Sequence, residues 1–138
     1  LVTVIIRYPK AVVCLISALA FHEITTQIPH EVSLAVPKDS RVIKLQSLPV
    51  VTYKFSKESY SKGIEKHKID GAIVQVYSPE KTLADCFKFR NKIGIDIFLE
   101  ALKLYKSRFK PKISELLKYS RVCRVETFIK PYLESNLL

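Results

Sequence analysis

Residues 64–89 read "IEKHKIDGAIVQVYSPEKTLADCFKF", and the hydrophobic period changes inside them. Up to Tyr77 the pattern alternates as a pleated strand requires, and beyond Ser78 it turns helical. Asp70-Gly71 is the preferred pair for a two-residue hairpin turn, because both central positions need positive φ. That turn sets Ile69 opposite Ala72, His67 opposite Val74 and Ile64 opposite Tyr77. Ser78 then offers a helix cap, Pro79 suits the first helical position and Glu80 favours the positive end of the dipole. A sheet therefore hands over to a helix between Tyr77 and Ser78.

Upstream, Val32, Leu34 and Val36 alternate with Glu31, Ser33 and Ala35. Residues 37–40 read as a turn and 42–45 as a short strand, while Val51, Tyr53 and Phe55 alternate again. These predict a small antiparallel sheet of four or five strands over about 31–77. Before it, Pro9 precedes an apolar helix over 10–24, ended by "TTQIPH" (25–30). Downstream, "GIDIFLEALKLYKSR" (94–108) has apolar residues on most of its circumference, so it packs on two sides. Further helices follow over 111–120 and 122–134, the last kinked by Pro131. The fold expected is α+β: an N-terminal buried helix, the sheet, then about four helices over 78–137.

With 138 residues, 48% of them apolar and 26% charged, the chain is sized for one domain. Cys14, Cys86 and Cys123 are scattered and odd in number, which argues against a disulfide framework and for a cytoplasmic setting. "AVVCLISALAF" (11–21) mimics a signal peptide, but it follows apolar "LVTVII" rather than a charged leader. It is also shorter than the roughly 20 residues that span a bilayer. No membrane association is expected.

The familiar catalytic and metal-binding patterns are not met. A metal-dependent nuclease needs a second carboxylate and a lysine on the strand after Asp70, where Gln75, Val76 and Tyr77 stand instead. His22, His30 and His67 are scattered, and no Cys or His pair has zinc spacing. Three isolated glycines cannot form a phosphate loop. No catalytic residue, metal ligand or cofactor is assigned.

Charge is more informative. Of the net +10, residues 103–124 carry eight cations (Lys103, Lys106, Arg108, Lys110, Lys112, Lys118, Arg121 and Arg124) against Glu115 alone. Such a field attracts polyanions or an acidic protein face, and these eight are the candidate nucleic-acid-binding residues. On the helix after Ser78, a 100° wheel puts Leu83, Cys86 and Phe87 inward. Lys81, Asp85, Lys88 and Lys92 fall outward, so Asp85 reads as a surface partner worth about 0.3–0.5 kcal/mol per pair. Arg90 points inward, between Cys86 and Phe87, and either snorkels or anchors a carboxylate or backbone carbonyls. Lys88, Arg90 and Lys92 are the candidate partner-binding residues.

Three stretches carry a resemblance: 8–38 ("YPKAVVCLISALAFHEITTQIPHEVSLAVPK"), 69–103 ("IDGAIVQVYSPEKTLADCFKFRNKIGIDIFLEALK") and 121–134 ("RVCRVETFIKPYLE"). In this order they resemble the AbiEi antitoxins of type IV toxin–antitoxin systems, which act in abortive infection by phage. The resemblance implies a predicted transcriptional regulator rather than an enzyme. It implies an N-terminal winged helix that binds operator DNA, absent from this chain, and a C-terminal antitoxin domain that residues 1–138 match. The implied partners are operator DNA and an AbiEii-like nucleotidyltransferase toxin, countered without a tight complex. The alternative reading is a protein-interaction domain or homodimer, with the apolar helices 10–24 and 95–106 as interface.

Overall fold

A computed structural model describes residues 2–44 and 49–137. In chain order the elements are α1 (Val2–Arg7), β1 (Val12–Val13), α2 (Leu15–Phe21), β2 (Val32–Pro37), β3 (Val50–Phe55), α3 (Lys57–Ser61), β4 (Ile64–Ile69) and β5 (Ala72–Tyr77). They are followed by α4 (Pro79–Lys88), α5 (Arg90–Ile93), α6 (Ile95–Arg108), α7 (Ile113–Val122) and α8 (Glu126–Leu137). The class is α+β, with the sheet built first and the helices gathered at the C-terminal end.

The five strands lie in the order β3-β2-β1-β5-β4. The hairpin register is the expected one, with Ile69 on Ala72, His67 on Val74 and Ile64 on Tyr77. Asp70 (φ 49°) and Gly71 (φ 82°) occupy the left-handed turn positions. The sheet as a whole is mixed rather than antiparallel: β2 runs parallel to β3, and β1 parallel to β5. Alternation marks a strand without giving its direction. Residues 38–49 are long enough to carry the chain back to the end of the sheet where β2 began.

The helix expected over 10–24 is divided. Val12 and Val13 form β1, the short central strand between β2 and β5, and α2 begins only at Leu15. Val12 buries on one face and Val13 on the other. These β-branched residues follow their two strand neighbours rather than the helical period around them. Residues 42–44 are not a strand, although the Ile43 N–H donates to Thr52 Oγ1 at 3.0 Å; Leu45 lies outside the described residues.

Each sheet face has its own core. On one side Val4 and Ile5 of α1 pack with Val13, Leu34, Val36, Val74 and Val76. On the other, α4 lies between the sheet and the later helices, touching α2, α6 and α7. Leu15, Leu19, Ile24, Leu83, Phe87, Phe98, Leu102 and Leu116 meet there. Leu15 and Leu19 of α2 and Phe98 and Leu102 of α6 are buried within this chain, while Ile16, Ile95, Ile97 and Leu99 stay half-buried. Among the described residues no helix is long and apolar enough to cross a membrane.

Gly63, where β4 begins, passes close over α4. Its φ is +78°, and a Cβ there would lie 2.6 Å from Lys81 Cβ. No other residue type fits without moving the helix.

Candidate functional site

The first candidate is the polar centre of α4. Ser78 Oγ accepts the Lys81 N–H at 3.2 Å, so the predicted cap is in place. Lys81 and Asp85 are not on a solvated face, however; both are 0% exposed. The Lys81 ammonium donates to Asp85 Oδ2 at 2.7 Å and to Oδ1 at 2.9 Å. It also sits 4.1 Å from the centre of the Tyr77 ring and 4.9 Å from that of Phe55. Cys123 Sγ donates to Asp85 Oδ1 at 3.2 Å. The wheel treated α4 as a surface helix with one buried arc. In the fold every residue from Pro79 to Phe87 is buried, because sheet and helices enclose α4 on all sides.

Burial raises the Asp85 carboxyl above its ordinary range, against the pull of Lys81 and the Cys123 thiol. Burial likewise pushes the Cys123 thiol up to about 12, and those of Cys14 and Cys86 well above the ordinary value; the Asp85 charge adds to each. Next to this group the Tyr105 hydroxyl donates to Glu80 Oε2 at 2.6 Å and accepts the Lys112 N–H at 2.8 Å. Burial, followed by the Glu80 bond, raises Tyr105 too. Among the described residues no buried side-chain nitrogen or oxygen lacks a hydrogen-bond partner, so the cluster can lock α4, α6, α7 and the sheet together. All three cysteines are buried and free, and no group of metal-ligating side chains forms among the described residues.

The second candidate is the basic segment. Lys103, Lys106, Arg108, Lys110, Lys112, Lys118, Arg121 and Arg124 are all exposed. They run along α6, the 109–112 link, α7 and the turn into α8. Three are engaged locally: Arg108 Nη1 donates to the Glu23 carbonyl, Arg121 Nε pairs with Glu126 Oε2 at 2.7 Å, and Lys118 Nζ lies 5.1 Å from the centre of the Tyr119 ring. Of the interleaved aromatics, Tyr105 and Tyr119 belong to the core. Phe109, 37% exposed, stacks on Tyr105 at 5.7 Å and is the one that meets solvent.

The candidate partner residues divide. Lys88 and Lys92 are exposed, Lys92 with its ammonium 5.9 Å from the centre of the Phe89 ring. Arg90 Nη1 donates to the Phe87 carbonyl at 2.9 Å, and its guanidinium carbon lies 4.2 Å over the Phe87 ring. Of the roles open to it in the sequence, it takes the backbone anchor, closing the end of α4. A scan of the chain against protein-family models gives no match, and neither does a search of curated proteins.

Proposed function

We propose that this chain is the antitoxin domain of a type IV toxin–antitoxin pair. In this reading it is a non-enzymatic cytoplasmic regulator that counters a nucleotidyltransferase-like toxin and supports operator binding through its basic helices. The observation that carries the reading is the exposure of all eight cations of 103–124, opposed within that segment by Glu115 alone. A phosphate backbone is the natural counterpart of such a surface. Further support is that the three stretches resembling AbiEi antitoxins contribute the packed elements α2, α4, α6 and α8 to one core. The S-P-E-K-T-L-A-D-C-F run after the Asp70-Gly71 hairpin, the most specific part of the resemblance, supplies the enclosed Lys81–Asp85 pair.

The test is co-expression of this chain with an AbiEii-like nucleotidyltransferase toxin. Growth should be restored while the toxin remains present at unchanged level. Continued arrest with the chain folded and abundant would overturn the antitoxin reading.

A further inference from the structure

We propose that the outer edge of β4 docks an extended, acidic segment of a partner protein, which would add a sixth strand to the sheet. β4 is the last strand in the order, so one of its sides pairs with nothing among the described residues. The hairpin register decides which groups lie on that side. Across a two-residue turn Ile69 and Ala72 exchange both ladder bonds, and so do every second pair after them. The Ser78 N–H donates to the Gly63 carbonyl at 2.8 Å and continues the same odd-numbered series. The backbone N–H and C=O of Lys66 and Lys68 therefore point away from β5, and no hydrogen bond among the described residues takes them. A row of unpaired strand groups is a template for another strand.

Side chains select the occupant. Lys66 and Lys68 are exposed and share a sheet face with Gln75 and with Ile73, which is 54% exposed. Glu65 is on the opposite face, bonded to His67 at 2.9 Å, and does not neutralise them. A second copy of β4 fits poorly. Antiparallel two-fold pairing centred on Lys66 or His67, the registers that overlap most of β4, sets Lys66 against its counterpart or against Lys68. Edge lysines repel a like strand in this way. A segment with acids at alternate positions turns the same juxtapositions into opposite-charge pairs, and the +10 net charge draws it in.

The probe is a fluorescein-labelled peptide, Thr-Glu-Val-Glu-Val-Glu-Thr, with a Lys-for-Glu version as control. The acidic peptide should bind and slow amide exchange at Lys66 and Lys68, and the lysine peptide should do neither. Lys66→Pro removes an outward N–H that the β5 ladder does not use; it should weaken binding about tenfold or more. Should that variant fail to fold, Lys66→Glu with Lys68→Glu keeps the amides and should reverse the preference to the lysine peptide. The proposal is overturned if the acidic peptide binds without protecting these two amides. It is equally overturned if raising the chain's own concentration, or adding duplex DNA, protects them instead.

Discussion

The Lys81 ammonium donates to the Asp85 carboxylate and lies against the Tyr77 and Phe55 rings, all of them buried. Breaking such a pair from one side leaves a buried charge with no partner, which costs about 3–5 kcal/mol. Lys81→Met is therefore expected to destabilise the chain by that order in urea or guanidinium unfolding. Lys81→Met combined with Asp85→Leu should recover most of the loss; a double variant as unstable as the single one would show that the pair does more than satisfy itself. The thiols follow the same logic, since burial has raised all three. Thiol titration at neutral pH should label none of Cys14, Cys86 and Cys123 in the folded chain and all of them after denaturation. Cys86 was legible as buried from its place on the helical wheel. Lys81 and Asp85 were not, because their i,i+4 spacing is that of any surface pair and the enclosure comes from elements on both sides of α4 in the chain, α2 and the sheet before it and α6 and α7 after it.

Glu100 of α6 holds the segment that follows α2: its carboxylate accepts the Thr26 N–H at 2.9 Å, the Thr26 hydroxyl at 2.7 Å and the Thr25 hydroxyl at 3.4 Å. The Thr26 backbone bond, followed by the Thr26 hydroxyl, lowers the carboxyl below its ordinary value of 4.5. A carboxyl depressed in the folded state stabilises it above the unfolded value, and that gain disappears as pH falls through the folded one. Wild type should therefore exceed Glu100→Gln in unfolding midpoint at neutral pH, and the gap should close on acidification well below 4.5. A gap that does not change with pH would assign the bonds no ionic part. At this scale, features set by neighbours in sequence were readable: the Asp70-Gly71 register and the Ser78-Pro79-Glu80 start. β1 was not, since two valines become a strand only through β2 and β5, which the chain reaches much later. The parallel β2–β3 pairing was hidden for the same reason, as strand direction leaves no mark on alternation.

Across the molecule, charge density in 103–124 was plain from composition, but how much of it is free depends on contacts between elements. Arg121 is paired with Glu126, while no ion pair engages Lys106 or Lys110 among the described residues. If the basic helices contact phosphates, each cation that does so releases counterions, and log affinity falls against log salt by about 0.9 per contact on duplex DNA. Charge removal at Lys106 or Lys110 should therefore flatten the slope by close to that amount. Arg121→Ala should flatten it less, because Glu126 already holds part of that charge. Reversing Lys106, Lys110 and Arg121 together should weaken binding uniformly across DNA sequences, since phosphate contacts position a protein without reading bases. Fluorescence anisotropy with a labelled duplex over a salt series measures all three quantities. A wild-type slope near zero would remove phosphate contact from the role of these helices, while leaving toxin rescue to be judged by co-expression.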